Sequence, residues 1–514
     1  MTARDGIHTS LWQETSEKYE PRIASTLQNK FDVIIVGGGI TGITTGLVLQ
    51  ELGLKCLVLE AQQLCFGTTG GTTAHINTLL DVPYTTLIKN FGQDNATRVA
   101  HATIEALAFI RDTIEKHNIK CEFAQSQAFL FAQDEKQTKE LKDIYNACKE
   151  VTLPVKYAND IPVPLEFTKA IAVPGQGKFH PLRYVFGLAE AFENIEGVIL
   201  DRCRVTDVKE ENGTVLVESE KGTFQGSYAI YATHIPPTIN ILHLRCVPYR
   251  SYAMAIRLAS GDYPMNLAYD MYDPYHYYRS QRIGANNYLI VGGKDHKTGH
   301  ESNTEAPFLT LESHVRTHFD VETVTHRWSS QYYEPADGLP YIGHFPGHGK
   351  KILVATGFGG NGMTYSTIAA QVLKSIVLEL KSDLADLFSP SRVKPIAAFK
   401  NFAEHNIDVF KQIAGKIFSS PEASEFADLA PGEGKIFKID DQSIGIYKDD
   451  NGALHAVNAS CTHMKCTVTW NLTEKSWDCP CHGARYSMDG RVLNGPALQD
   501  LEYTNLELVN AIKA

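Results

Sequence analysis

Six side chains between residues 461 and 482, near the end of the chain, have the types and spacing to hold metal. Cys461 and His463 flank a single residue, and Cys479 and His482 flank two. A third cysteine joins each group, Cys466 in the first and Cys481 in the second. Thiolates and imidazoles suit zinc and iron. Two of each satisfy a tetrahedral zinc ion. The same set also holds a two-iron, two-sulfur cluster, with both thiolates on one iron and both imidazoles on the other. Six metal-capable groups are more than one zinc ion uses, which favours the cluster. Ordinary buried cysteines are the plain alternative. A cluster of this kind moves electrons one at a time.

The block from Cys461 to Cys466, the segment Cys479-Pro-Cys481-His482-Gly483, and the tail Asp489-Gly490-Arg491 with Asn494-Gly495-Pro496-Ala497 together resemble the high-potential Rieske proteins. The resemblance implies that Cys461, His463, Cys479 and His482 are the cluster ligands. It also implies that Cys466 and Cys481 form a disulfide clamping the two ligand loops. One position departs from the pattern. Many respiratory members carry a serine after the second box, whereas this chain has Ala484 and keeps the usual Tyr486. One hydrogen bond fewer to cluster sulfur lowers the reduction potential, so an intermediate value is expected.

A second chemical constellation lies near the start. Phe31 to Val36 reads as a buried parallel strand running into Gly37-x-Gly39-x-x-Gly42, with a helix to Leu52, a stop at Gly53 and a second strand ending in Glu60. Glycines at this spacing permit the tight turn, close backbone approach to a pyrophosphate, and tight helix–strand packing. The helix N-terminus offers free N–H groups to phosphate, and Glu60 stands where an acid would take ribose hydroxyls. The alternative is a purely structural glycine turn.

The rest of the series is Gly67-Thr68-Thr69-Gly70-Gly71-Thr72-Thr73-Ala74, then Tyr228 to Thr233, then Asp337-Gly-Leu-Pro340, then Val354 to Thr364. In this order over residues 30–380, it resembles the D-amino acid oxidase superfamily of FAD enzymes. The resemblance implies FAD contacts from Gly37, Gly39, Gly42, Glu60, Thr68, Thr69, Thr72, Gly362, Met363 and Thr364. The last glycine turn would aim a helix dipole at the flavin. Two departures matter. The stretch just before Asp337, from Arg327 to Ala336, has no cysteine, and no histidine falls in the Gly70-Gly71 region, so non-covalent FAD is expected. After the loop comes Ala74-His75-Ile76-Asn77, without the arginines that clamp a substrate carboxylate in sarcosine oxidase-like members; this puts an amino-acid substrate in doubt.

The elements that must position these groups are legible in outline. Apolar spacing of three and four predicts helices over Asp94–His117 and Glu135–Val151 within a largely helical stretch, 80–165. Residues 245–335 read as strands rich in tyrosine (Tyr249, Tyr252, Tyr269, Tyr272, Tyr275, Tyr277, Tyr278), able to cage an amine cation or simply to pack a half-buried sheet. His296 at a strand end is a candidate catalytic group, with a surface loop as its plain alternative. His180-Pro181 reads as an architectural helix start. The expected fold is an α/β FAD-binding Rossmann-type domain with an inserted mixed-sheet substrate domain, plus a small all-β Rieske domain. The segments are an N-terminal extension (1–30), the FAD-dependent oxidoreductase (31–385), a helical linker (386–423, helix near 396–417) and the Rieske domain (424–514).

The chain has 514 residues, 43% of them hydrophobic and 21% charged, with a net charge of −11. That length calls for more than one core. No basic block points to nucleic acid, and no apolar run is long enough for a transmembrane segment. With no signal-like apolar block and with six scattered cysteines, the expected address is cytoplasmic. Residues 424–514 carry 13 Asp/Glu against 8 Lys/Arg, a balance suited to a basic redox partner. Together the two ends predict an FAD/[2Fe–2S] dehydrogenase acting on CH–NH bonds. Its substrate would be a small amine or amino-acid-like molecule, and its electrons would leave singly to an acceptor protein or quinone-linked carrier. The alternatives are a component passing electrons from cluster to flavin, and a non-enzymatic redox sensor.

Overall fold

The computed structural model describes residues 4–22, 28–392, 429–439 and 442–504. The strand Lys30–Val36 is β-branched and its last four residues are buried, as befits a strand covered on both faces. It pairs in parallel with Cys56–Leu59 on one side and Gly222–Tyr231 on the other. Ile352–Thr356 and Val198–Leu200 extend the parallel sheet outward. Helix Ile40–Gln50 crosses between the first two strands and is buried along nearly its whole length. Its Gly42 explains the close fit: a Cβ there would lie 1.9 Å from the Gly37 carbonyl oxygen. Helices Gln93–Lys116 and Glu135–Glu150 fall where the apolar spacing places them.

A second sheet stands over the first. It runs Val321–Pro335, Cys246–Leu258, Asn286–Lys297, His276–Ile283, Leu267–Tyr269, Ala124–Ala132, Lys169–Lys178 and His75–Ile76. It is mixed, because Leu267–Tyr269 lies parallel to Ala124–Ala132. Ala124–Ala132 and Lys156–Ala158 correct the helical reading of 80–165. Pairing with Lys169–Lys178 sets their conformation, and tertiary pairing outranks weak local preference.

The cluster region is a three-stranded sheet (Gly434–Ile439, Gln442–Lys448, Leu454–Asn458) and a four-stranded sheet (Thr469–Asn471, Ser476–Asp478, Arg485–Ser487, Val492–Asn494). The helix expected near 396–417 lies outside the described residues.

The N-terminal extension ties the two parts together. Asp5 donates its backbone N–H to Phe66, Ser10 bonds the Gly70 carbonyl, and Trp12 donates to the Thr72 carbonyl. The same segment meets the cluster region, where Arg485 donates to the Asp5 carbonyl and Ile7 N–H donates to Glu474. Between the two parts lie three arginines (Arg4, Arg250, Arg485) and three acids (Asp5, Glu474, Asp478), all buried. Ion pairs link them: Arg4–Glu474 at 3.8 Å, Arg250–Glu474 at 3.9 Å, Arg250–Asp478 at 3.7 Å, Arg485–Asp478 at 3.0 Å and Arg485–Asp5 at 3.3 Å.

Candidate functional site

One long cavity starts at the glycine turn and ends under the second sheet. Gly37, Gly39, Glu60, Thr68, Thr69, Thr72, Gly362 and Met363 line it. Gly37 takes φ +116°, and a Cβ would meet the Ala232 carbonyl oxygen at 2.5 Å. Glu60 accepts the backbone N–H groups of Gly38 at 2.7 Å and Gln62 at 2.8 Å. Burial pushes its carboxyl pKa up, and those two bonds oppose the rise. Gly42 and Thr364 lie behind the lining. Gly42 packs the turn, and Thr364 donates to the Asn77 carbonyl at 3.0 Å. Two helix N-termini, of Ile40–Gln50 and Gly362–Val377, carry lining residues. A glycine cradle, an acid at the strand end and two helix starts fit a dinucleotide.

The far end of the cavity is acidic and aromatic. His75, Asn77, Asp81, Ser251, Tyr269, Tyr275, Tyr277, Asp295 and Tyr332 line it. Tyr269 is fixed by His75 at 2.7 Å and Asn77 at 2.6 Å, and Tyr332 donates to Asp295 at 2.8 Å. Burial pushes the Asp295 carboxyl up to about 6, against the pull of Ser251 and Tyr332. Burial also raises Asp81. Of the residues lining the cavity, Arg204 alone is an arginine or lysine, and its charge acts on Glu60 at the other end.

His296 is not part of this lining. Its Nδ1 faces the Lys297 carbonyl at 2.9 Å and its Nε2 meets the Tyr252 hydroxyl at 2.9 Å. Its neighbour Asp295 takes the place on the cavity wall. Of the seven tyrosines singled out, Tyr269, Tyr275 and Tyr277 reach the cavity, whereas Tyr252 and Tyr278 are buried in a core on the opposite face. His180 caps helix Pro181–Asn194, accepting the Arg183 N–H.

The Cys/His boxes converge. Cys461, Cys479 and His482 are buried, and the His463 and His482 rings lie 5.1 Å apart. Cys461 and Cys479 hydrogen-bond each other, which pulls the Cys461 thiol down and pushes Cys479 up. His463 Nδ1 is buried and makes no hydrogen bond among the described residues, as an atom reserved for metal would be. Cys466 and Cys481 form a disulfide with an S–S distance of 2.07 Å. The Tyr486 hydroxyl lies 3.2 Å from Cys461 Sγ. Ala484 is buried and its carbonyl accepts the Cys479 N–H. These donors fit a two-iron cluster, and the disulfide removes Cys466 and Cys481 from the ligand set.

Cavity and cluster site share a wall. Val492 to Gly495, Ala497 and Leu498 of the cluster region line the cavity. The Gln331 carbonyl accepts the Thr68 hydroxyl at 2.6 Å, and its side-chain amide donates to the Gly483 carbonyl at 2.8 Å. Tyr333 donates to the His482 carbonyl at 3.2 Å and packs edge-on against His234, which lines the cavity. The His243 ring lies 4.5 Å from His463 and 5.5 Å from His482. Gln331, Tyr333, His234 and His243 carry no motif, and no sequence spacing marks them.

Comparison with known proteins agrees with both halves. Residues 32–376 match the family described as FAD dependent oxidoreductase, and residues 421–505 match the Rieske [2Fe-2S] domain. YhfW of Bacillus subtilis, named for a Rieske 2Fe-2S iron-sulfur centre, is 31% identical over 478 residues, covering 93% of this chain and 94% of its own. Gamma-glutamylputrescine oxidoreductase of Escherichia coli is 24% identical, covering 72% of this chain and 89% of its own. The crystal structure of glycine oxidase from Geobacillus kaustophilus superposes with a TM-score of 0.60 at 17% identity, covering 71% of this chain and 100% of that one. With a dinucleotide cradle at one end of a cavity whose wall is shared with a two-thiolate, two-imidazole site, the chain belongs to the FAD dependent oxidoreductases and carries a Rieske [2Fe-2S] domain.

Proposed function

We propose that this oxidoreductase dehydrogenates a small cationic amine and passes the electrons singly to an acceptor protein or quinone-linked carrier. The observation that carries the reading is the far end of the cavity. There Asp81 and Asp295 stand among four tyrosines, and none of the described residues lining that end is an arginine or lysine that could hold a substrate carboxylate. Tyrosine faces and a buried carboxylate recognise an ammonium group. The name of the Escherichia coli relative, gamma-glutamylputrescine oxidoreductase, supports an amine substrate. When bound, FAD takes up two electrons as a hydride from the carbon beside the amine nitrogen, and the cluster carries one electron at a time. The chain's own part is to orient the amine against Asp295 and Tyr332, to exclude water beneath the second sheet, and to hold cavity and cluster together through Gln331 and Tyr333.

The test is anaerobic mixing of the loaded enzyme with small mono- and diamines and, separately, with zwitterionic amino acids. Amines should bleach the flavin band and then the cluster band. Reduction by amino acids alone, or a cluster that stays oxidised beside reduced flavin, overturns the reading.

A further inference from the structure

A second group of histidines stands behind the substrate wall. Asp270 follows Tyr269, and His276 lies between Tyr275 and Tyr277. All three of these tyrosines line the substrate cavity, whereas Asp270 and His276 face away from it. His314 and His318 come from the helix Ala306–His318, one turn apart on one face. His276, His314 and His318 line a separate pocket together with Lys294, Glu166 and Asp273.

The hydrogen bonds follow the pattern of a metal site. Asp270 Oδ2 accepts His276 Nδ1–H at 2.7 Å, and Asp270 Oδ1 accepts the His276 backbone N–H at 2.8 Å. His276 is 2% exposed, and its Nε2 makes no hydrogen bond among the described residues. A burial this complete is costly for a polar atom with no partner. His314 Nε2 lies 2.7 Å from the Tyr278 hydroxyl, which is in turn 3.4 Å from Asp270 Oδ2. With Nε2–H donating to Tyr278 and Tyr278 donating to Asp270, one carboxylate orients both imidazoles. That leaves a lone pair on His276 Nε2 and another on His314 Nδ1. A carboxylate holding the far nitrogen of each ligand histidine is the usual outer support of a metal ion.

The histidines are near one another but not converged on one point. One ligand-capable atom from each of Asp270, His276 and His314 lies within 4.8 Å of the others. The His314 ring is 4.1 Å from His276 and 4.9 Å from His318. Zinc–nitrogen bonds of about 2.0–2.1 Å put ligand atoms about 3.3 Å apart on a tetrahedral ion. The His276 and His314 rings lie stacked, 8° from parallel, so closing on one ion requires half-buried His314 to turn, carrying the Tyr278 hydroxyl with it or giving it up, and exposed His318 to swing in.

We propose that His276, His314 and His318, oriented by Asp270, bind a divalent transition-metal ion of the zinc class, separate from the cluster. The ion would join the helix Ala306–His318 to the turn that carries Tyr275, and so brace the substrate wall from behind.

The test uses the full chain loaded with FAD and cluster, freed of loosely held metal, and titrated with zinc against a chromophoric chelator. Wild type should take up one zinc per chain while iron content stays constant. H318A sits on the exposed helix end and H314A on its half-buried side, and their flavin and cluster spectra report folding; each should weaken zinc binding about tenfold or more. D270N should weaken it by about 10–100-fold, as loss of an orienting carboxylate does. Zinc uptake equal in wild type and in the double variant H314A/H318A, or no uptake by wild type at micromolar zinc, overturns the proposal.

Discussion

Replacing Glu474 by glutamine should loosen the cluster domain from the FAD domain. Glu474 is buried and lies 3.8 Å from Arg4 and 3.9 Å from Arg250, in a cluster of three arginines and three acids. Burial alone would raise its pKa, but Arg4, Arg250, Arg485 and the Ser329 hydroxyl bring it down to about 2. A fall from 4.5 to about 2 corresponds to about 3 kcal/mol, at about 1.4 kcal/mol per pH unit. Breaking a buried pair by removing one partner costs about 3–5 kcal/mol, and the two figures agree. The loss belongs to docking, because the arginines come from the N-terminal segment, the second sheet and the cluster domain. Denaturant unfolding followed separately at the flavin and cluster bands should show the cluster signal leaving first in E474Q, with about 3 kcal/mol less stability. The pH dependence is a second signature. An acid with a depressed pKa stabilises the folded form above its unfolded value and loses that effect as pH falls through its folded value. Wild type should therefore weaken between about pH 4.5 and about pH 2, and E474Q should lack that share of the acid limb. R4Q/E474Q should be less destabilised than the two single variants summed, since it restores charge balance. Equal stability of E474Q and wild type, within about 0.5 kcal/mol, refutes the argument.

Other outcomes follow from single contacts. With Asp295 pushed up to about 6 by burial, kcat/KM for a cationic amine should climb about tenfold per pH unit below that value and level off above it. D295N should remove this limb and cost about 10–150-fold in kcat/KM, the worth of a charge-assisted hydrogen bond of about 1.5–3 kcal/mol. Tyr486→Phe deletes the hydroxyl 3.2 Å from Cys461 Sγ. It should lower the cluster midpoint in a redox titration by about 60 mV, which is about 1.4 kcal/mol for one electron. Gly42→Ala places a methyl 1.9 Å from the Gly37 carbonyl oxygen, so the purified variant should lack the flavin spectrum.

Legibility followed the range of the interactions. The glycine turn, Glu60 and the Cys/His boxes are local patterns, and their chemistry can be read from spacing. His296 against Asp295 shows where that stops. Gly292 pairs with Tyr277 on the cavity face, and strict alternation from Gly292 brings position 296 to that face. The partner strand, however, shifts register between Arg250 and Tyr252, so that Arg250 pairs with His296 and Tyr252 with Gly293. One extra residue exchanges the faces of a strand, and Asp295 rather than His296 meets the cavity. No property of either residue announces the bulge. The strap role of residues 4–16 was equally hidden, because Arg4 and Asp5 gain meaning only beside Glu474 and Arg485, far along the chain.

The docking also bears on where electrons leave. Both cluster histidines turn toward the FAD domain: His463 Nε2 lies 3.3 Å from the Thr238 carbonyl, and His243 packs against both imidazoles. The imidazole edge of the site therefore belongs to an internal contact, next to the cavity, and on the proposed outward flow an external acceptor would meet another part of the rim. Lys465, Gln499 and Asp500 are exposed there, and Gln499 is tied to the first ligand loop through its carbonyl and the Thr462 hydroxyl at 2.6 Å. Glu474, Asp478 and Arg485 are engaged in the buried ion cluster, and the rest of residues 424–514 carries 11 Asp/Glu against 7 Lys/Arg in sequence. An acceptor drawn to that excess of negative charge would be basic, and its reduction by the amine-loaded enzyme should slow as ionic strength rises, because charges in water are screened over about 8–10 Å in salt. A rate that is flat or rises with salt would mean that the acceptor is not guided by this charge and that the exit lies elsewhere.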